Sequence, residues 1–324
     1  MTQTAASQRT RALLMLVVAT VLWGMSFPLI KAMGLLQAQL QLEGGSWFSA
    51  LYLVAPRFVL ALAVLTAFWG REVWRVTRQE LKQGGIMGLF ASAGMLLQSD
   101  GLQFTSASTS AFLTQFYAIL IPIWVAWKTR HNPGWLVWVC SALVLAGVAI
   151  LGQFNWGEMR FGRGEWETLL CSLFFMGQIL WLEKKEFSAN RPEQLTLVLF
   201  AVQAIILSSL TVVVAPTTAA LLRPWHSELW VGFTVALTLL CTVAAYLLMN
   251  RWQPKITATE AGLVYCVEPI FASGFALFLP GLFSILPGVT YANEGATWTL
   301  AIGGSLITVA NVLLQLQPPK KSAL

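Results

Sequence analysis

The sequence predicts an all-α polytopic membrane protein, and three observations support this: the composition, the length of the apolar runs, and the placement of Lys and Arg. Of the 324 residues, 57% are hydrophobic and only 10% are charged. A soluble domain carries roughly a quarter charged residues. The 15 Trp and 19 Phe residues strengthen this contrast. Most of the chain is therefore expected to lie within a lipid bilayer.

Ten apolar runs have the length of a membrane-crossing helix, which needs about 20 mainly apolar residues. Short connections rich in Gly, Pro, Asn and charge separate these runs, as in KTRHNPG and RWQPK. Strands of a membrane barrel would instead be about ten residues long with strict alternation, and the sequence does not have that pattern. The predicted spans are 12–33, 47–69, 84–104, 107–127, 134–152, 165–183, 194–215, 229–250, 257–280 and 297–316.

The basic residues predict the orientation, because Lys and Arg concentrate in cytoplasmic loops. With the N-terminus in the cytoplasm, fifteen of the 20 lie on the cytoplasmic side and Arg57 lies inside a span. The remaining four are external: Lys31, Arg160, Arg163 and Arg223. We therefore expect an inner-membrane protein with both termini and the Trp74 loop cytoplasmic, and with the Trp156 and Tyr291 loops external. The net charge of +6 follows from this bias, so no nucleic-acid partner is expected.

Ten spans divide into five and five, which predicts two repeats of opposite topology at residues 1–152 and 153–324. An odd number of spans makes the second half enter the membrane from the opposite side, as in many transporters. Two short matches at an offset of 152 residues agree with this. TSASTSAF begins at Thr105 and TATEAGLV at Thr257, while WGMSF begins at Trp23 and FMGQI at Phe175. The parity of the spans carries more weight than these matches.

Four segments together resemble a known family: VLWGMSFPLIKA, APRFVLA, GLQFTSASTSAFLTQFYAILIPI and AAYLLMNRWQPKITATEAGLVYCVEPIFAS. The chain resembles the drug/metabolite transporter superfamily, of the ten-helix EamA-like type. The resemblance implies two five-helix repeats around a cavity lined by helices 1, 3, 4, 6, 8 and 9. It also implies a carrier that moves small metabolites, usually outward. The segment LPGLFSILPGVTYANEGAT departs from the family, in which a short turn usually joins these helices.

Glu268 is the most informative polar residue, because it lies near the middle of the ninth predicted span and directly precedes Pro269. A charge at the bilayer centre costs about 2.5–3.5 kcal/mol or more, so it should face a partner or a wet cavity. Pro269 removes a backbone donor and is expected to free a carbonyl near Val264–Tyr265. Glu268 is thus a candidate ligand, proton or hinge site. A protonated carboxyl that merely positions a neighbouring helix is the open alternative.

Three further charged residues are candidates for gating or coupling. Arg57 lies in the middle of the second span, at the depth of Glu268, so the two are a possible pair. The alternative is that Arg57 is a structural pin that binds carbonyl groups or reaches for the interface. Lys31 and Asp100 lie near the outer ends of the first and third spans. They are a candidate outer gate pair, or else two independently solvated charges.

Polar and aromatic residues on the cavity helices are the candidate substrate contacts. Amide side chains are costly in lipid and should point inward. Aromatic faces, amides and one carboxylate together suit a small organic solute with a cationic or apolar moiety. The predicted substrate-binding residues are Trp23, Gln98, Gln115, Tyr117, Gln178, Tyr246, Tyr265 and Glu268.

The sequence therefore predicts a secondary transporter that exports small amphipathic metabolites, such as amino acids, by alternating access. Carriers of drugs, nucleotide sugars or lipids and a non-transporting membrane protein remain alternatives. The sequence contains no P-loop, so ATP-driven transport by this chain is not expected. We also expect no enzymatic activity and no cofactor. A metal site is not expected either, since His131 and His226 fall on opposite sides of the membrane. The expected partners are the bilayer, a small-molecule substrate and, as a candidate coupling ion, the proton, with a monomer or weak homodimer as the assembly.

Overall fold

The computed structural model describes residues 2–40, 44–71, 75–105, 110, 113–151, 162–286 and 289–315, and within them the fold is helical with no strand. Within the described residues, seven long helices come first along the chain. They are α1 (Thr2–Gln39), α2 (Ser46–Trp69), α3 (Arg78–Gly101), α4 (Tyr117–Thr129), α5 (Trp135–Leu151), α6 (Arg163–Leu182) and α7 (Pro192–Val214).

The remaining helices include two that depart from regular α geometry. α8 (Glu228–Ala236) continues through a π-helical stretch, Leu237–Ala244, into α9 (Ala245–Trp252). α10 (Ala258–Tyr265) and α11 (Glu268–Ala276) are two parts of one interrupted helix, and α12 (Trp298–Gln315) is the last. π-helical turns are rare and are frequently found at functional sites.

Helices occupy each of the ten predicted stretches, whole or in parts. By length and composition, four helical segments could cross a membrane: Ser7–Gln39, Ser46–Trp69, Pro192–Val214 and Glu228–Lys255. Three shorter apolar helices accompany them at Tyr117–Thr129, Trp135–Ile150 and Trp298–Leu313. This is the architecture of a polytopic membrane protein. The ten-span inverted repeat stays a prediction, and the loops at Trp74 and Trp156 lie outside the described residues.

Capping boxes begin two of the helices that carry polar residues used below. The Thr77 side chain accepts a hydrogen bond from the Glu80 amide, and the Glu80 carboxylate accepts one from the Thr77 amide. Thr257 and Glu260 repeat this arrangement at the start of α10. Such caps satisfy backbone donors that a helix start leaves without partners. Helix α2 ends at Trp69, and the next residue, Gly70, has a φ of 54°, which suits a residue without a Cβ.

The helices pack into one bundle whose neighbours are distant in sequence. α3 packs against α6 and α7, α2 packs against α7, α5 packs against α12, and α1 packs against α9, α10 and α11. We call the end of the bundle that holds Arg9 the Arg9 end, and the other the Lys31 end. At the Lys31 end, Val289 and Tyr291 are buried in a second apolar cluster with Met33 and Trp230. The unusually long connection after α11 is thus folded onto the bundle.

Candidate solute-binding site

The helix that contains Glu268 is interrupted immediately before it. α10 ends at Tyr265 and α11 begins at Glu268. The Val267 amide donates to the Val264 carbonyl over 3.1 Å, so of the two carbonyls near which we expected a free acceptor, that of Val264 has a partner. Pro269 lies in the first turn of α11, where its missing N–H is tolerated. The expected loosening beside Glu268 is confirmed.

A second interruption lies at Gln115 and Phe116, directly before α4. The Phe116 amide donates to the Leu113 carbonyl over 3.2 Å, and the Ala118 amide donates to the Gln115 carbonyl over 2.9 Å. The two interruptions touch, because the Cys266 thiol donates to Gln115 Oε1 over 3.1 Å. The site therefore lies where two broken helices meet.

The Glu268 carboxylate is half-buried and, among the residues that the structure describes, accepts no hydrogen bond and forms no ion pair. It lies within electrostatic range of Tyr117 and Cys266. A carboxyl group that only positioned a neighbouring helix would be hydrogen-bonded to it, since a buried polar group without a partner costs free energy. The described contacts thus favour a carboxylate that is available to a ligand or a proton.

Three predicted aromatic residues meet beside this interruption. The Trp23 ring packs edge-on against Tyr265 at 5.4 Å and against Tyr246 at 5.9 Å between ring centroids. The Tyr265 hydroxyl donates to Gln253 Oε1 over 2.7 Å, which fixes the ring. Edge-on aromatic pairs are a favourable arrangement. We call Trp23, Gln115, Tyr117, Tyr246, Tyr265 and Glu268 the central site.

Two of the predicted contact residues lie on neighbouring helices without a demonstrated contact to this group. Gln98 Nε2 donates to Thr114 Oγ1 over 3.4 Å, one residue before the Gln115 interruption. Gln178 is buried on α6. Tyr117, in contrast, begins α4, is buried, and lies within electrostatic range of Glu268.

Arg57 is buried on α2, with 6% of its surface exposed. Its guanidinium donates to the Met95 thioether sulfur over 3.1 Å, and its Nε has no hydrogen-bond partner. The possible ion pair with Glu268 is not formed among the described residues. Both charges nevertheless lie within electrostatic range of Tyr246 and Cys241. Arg57 and Glu268, which the sequence predicts at equal depth, therefore lie near the same side chains but do not form an ion pair with each other.

The outer pair expected from depth, Lys31 with Asp100, is not formed either. Asp100 is fully buried and pairs with Arg163 at the start of α6. Lys31 is exposed, approaches Glu294 at 4.0 Å, and lies 5.1 Å from the centroid of the Tyr291 ring. Both residues do lie at the Lys31 end of the bundle. Their depth in the membrane, however, does not predict which helices lie next to them.

A polar cluster at the Arg9 end was missed by sequence reasoning. Arg191 Nε donates to Glu80 Oε1 over 2.8 Å, and Asn190 Nδ2 donates to Gln83 Oε1 over 2.8 Å. These bonds join the start of α3 to the connection before α7. Burial alone raises the pKa of Glu80, but the hydrogen bonds from Arg191 and Thr77 outweigh it and hold the pKa at about 2. Nothing in the sequence pattern pairs residues more than a hundred positions apart.

A second contact at the Arg9 end joins α1 to α10. Arg9 Nε donates to Glu260 Oε1 over 2.8 Å. Glu260 also lies in the first turn of α10 and forms the capping box with Thr257, a favourable place for an acid. The Glu260 side chain therefore caps its own helix and also binds Arg9 on α1.

A shallow open groove of about 540 Å³ lies between α11 and α12, and its lining includes Ile270, Gly274, Gly304 and Ser305. None of the predicted substrate-binding residues lines it. The groove is apolar and open to the outside of the bundle. Glu268, whose carboxylate accepts no hydrogen bond among the described residues, lies outside this groove, so the central site remains the candidate site.

Comparison with known proteins matches the first half of the chain to a family. Residues 10–153 match the EamA-like transporter family. The resemblance that the sequence motifs indicated is confirmed over these residues.

Two relatives and one solved structure extend the similarity to the whole chain. Two proteins of Archaeoglobus fulgidus, each described as an uncharacterized transporter, are 26% and 25% identical. The first alignment covers 96% of this chain and 87% of the relative, and the second covers 93% and 96%. A solved crystal structure superposes with a TM-score of 0.70 at 16% identity, covering 95% of this chain and 97% of the other. This last likeness shows a shared fold.

Proposed function

We propose, on the premise that residues 10–153 match the EamA-like transporter family, that the chain is an inner-membrane secondary transporter. Small amphipathic metabolites, amino acids first, are its substrates, and it moves them out of the cell. The two archaeal relatives described as transporters support the general activity.

The observation that carries the proposal is the contact between the two helix interruptions, Cys266 to Gln115, beside the unpartnered Glu268. Discontinuous helices at the centre of a bundle are characteristic of transporter binding sites, because their free backbone ends and polar side chains coordinate solutes. The aromatic rings of Trp23 and Tyr246 add apolar surface. An amphipathic solute matches this combination of one carboxylate, amides and rings.

Alternating access between two inverted five-helix halves is the mechanism that we propose. The interruptions at Phe116 and Val267 lie 151 residues apart, close to the offset of 152 between Thr105 and Thr257. This near-equality supports an internal repeat. Polar contacts hold each end of the bundle separately, with Arg9–Glu260 at one end and Asp100–Arg163 at the other. Rocking of one half against the other would break one set while the other remains formed.

Transport rather than catalysis also fits the chemistry of the central site. Its members include one carboxylate and no nucleophile hydrogen-bonded to a general base, which covalent catalysis requires. Proton coupling through Glu268 is part of the proposal, since an intramembrane carboxyl group is a common proton relay.

The test is uptake by purified protein in liposomes, with labelled amino acids inside or outside and with or without a pH gradient. We expect protein-dependent flux of at least one apolar amino acid. Empty liposomes and liposomes that hold a variant with Trp23→Ala and Glu268→Ala serve as controls. Flux that is the same in all three preparations, across the amino acids, would refute the proposed substrate class. Protein-dependent flux that is the same with and without the pH gradient would refute proton coupling but not the proposed substrate class.

A further inference from the structure

Arg57 carries a charge for which the described part of the chain provides no counter-ion. It is 6% exposed, its Nε has no partner, and the acceptor for its terminal amino group is the Met95 sulfur at 3.1 Å. A thioether is a weak acceptor. Removing a guanidinium from water without a carboxylate to pair with it is costly, and unpaired charges within a membrane mark functional positions.

The contact of Arg57 with the π-helical stretch involves its backbone rather than its side chain. Thr238 Oγ1, in the π-helical stretch, donates its proton to the Thr234 carbonyl over 2.7 Å and lies 3.5 Å from the Arg57 carbonyl. That contact would form with any residue at position 57. The guanidinium also lies over the Phe58 ring, 5.0 Å from Cζ to the ring centroid. This contact favours a cation there but supplies neither a counter-ion nor a partner for Nε.

The surroundings of the guanidinium have further unused polar capacity. Gln203 on α7 is fully buried, its Nε2 donates to the same Met95 sulfur over 3.8 Å, and its Oε1 has no hydrogen-bond partner. Tyr246, a member of the central site, and Cys241 lie within electrostatic range of Arg57. The Tyr246 ring in turn contacts Trp23 at 5.9 Å. Arg57 is thus continuous with the central site.

We propose that Arg57 binds the carboxylate of the transported solute. A guanidinium forms two parallel charge-assisted hydrogen bonds with a carboxylate, which supplies both the missing counter-ion and the partner for Nε. Glu268, within electrostatic range of the same Tyr246 and Cys241, then faces the ammonium group. The substrate class is a free zwitterionic amino acid rather than an amine or an amide. This inference rests on the proposed function and specifies the site's chemistry.

The test compares matched probes on the unaltered protein. L-phenylalanine, L-phenylalaninamide and phenethylamine, and likewise L-leucine and L-leucinamide, are titrated at constant ionic strength against protein in detergent. The readout is the ligand-induced rise in apparent melting temperature. We expect each amino acid to bind at least about tenfold more tightly than its amide, the difference of roughly one charge-assisted pair. Sodium chloride at equal concentration separates solute binding from binding of a bulk anion.

Two variants separate recognition from folding. Arg57→Gln should bring the acid-to-amide ratio within about twofold, whereas Arg57→Lys, which keeps the charge, should retain part of it. Loss of the buried charge in Arg57→Gln can also impair folding. The ratio of acid to amide affinity measured on the unaltered protein therefore tests the proposal by itself. Equal binding of acid and amide would overturn the role of Arg57 and leave the transporter proposal standing. If no amino acid binds, the proposed substrate class and this inference both fail.

Discussion

The Cys266 thiol donates to Gln115 Oε1 over 3.1 Å, and this bond joins the two interrupted helices at their interruptions. Each helix loses regular hydrogen bonding at the point where it meets the other. Such points are where a helix bends at the least cost. Close packing one turn away, where a Cβ on Gly262 would lie 2.8 Å from Ile121 Cδ1, keeps the two helices in register. Under the proposed function, we infer that this crossing is both the position where solute binds and the hinge.

If the crossing opens during transport, Cys266 becomes reactive although it is fully buried here. We expect a variant with Cys266 as its sole cysteine to react with N-ethylmaleimide, and transported solute to slow that reaction severalfold. A variant with Cys140 alone, equally buried on α5, should react slowly under both conditions. The measurement is mass-spectrometric labelling over time. Equal, solute-independent rates for the two cysteines would contradict opening at the crossing.

Two glycines of α1 test the packing of this helix against the one that carries Glu268. A Cβ on Gly24 would lie 2.8 Å from the Ala272 amide nitrogen, whereas a Cβ on Gly34 would meet nothing within 4 Å. Overpacking costs about 1–3 kcal/mol, so Gly24→Ala should lower the apparent melting temperature by about 2–6 °C. Gly34→Ala should leave it unchanged or raise it, because alanine favours a helix. A melting temperature equal for both variants would argue against tight α1–α11 contact.

The Glu80–Arg191 contact predicts an acid-sensitive contribution to stability. Because the pKa of Glu80 is lowered to about 2 in the folded protein, its contribution is complete above the unfolded value of about 4.3. It is lost as the pH falls from there toward 2. Glu80→Gln should therefore lower the melting temperature at pH 7 but have a smaller effect near pH 3. Glu186→Gln, which alters only exposed ion pairs, should have little effect at either pH.

Sequence reasoning succeeded where the cause was local. Pro269 cannot donate a backbone hydrogen bond, so the interruption before α11 was predictable from one residue. The interruption at Gln115 and Phe116 has no proline or glycine within it and was missed. Nothing local in the sequence marks it, and its contact with Cys266 joins residues 151 positions apart.

Contacts between helices could not be predicted from depth. Asp100 pairs with Arg163 rather than Lys31, because α3 lies against α6 and the start of α6 approaches the end of α3. Span positions give a residue's height in the bundle but not which helix is its neighbour. The aromatic group could be predicted, because Trp23, Tyr246 and Tyr265 were selected by the helix on which they lie together with their residue type. The structure brings all three together.

The distribution of Lys and Arg predicts that the Arg9 end is cytoplasmic. Ser188 and Ala296 are exposed at opposite ends of the bundle and suit a labelling test. In a background without cysteines, an impermeant maleimide added to sealed cells should modify Ala296→Cys but not Ser188→Cys. Permeabilised cells provide the control, since both positions should then react. Modification of position 188 in sealed cells would reverse the orientation.

Glu268→Gln tests the carboxylate at the centre of the site. The amide keeps the shape of the side chain and removes its charge and its titration. Because the Glu268 carboxylate has no partner among the described residues, the substitution should leave insertion and melting temperature unchanged. Flux in liposomes should fall, or else lose its response to a pH gradient. Glu186→Gln, which alters exposed ion pairs at the Arg9 end, is the control and should transport normally. If rate, affinity and pH response all survive in Glu268→Gln, the carboxylate takes no part in binding or coupling.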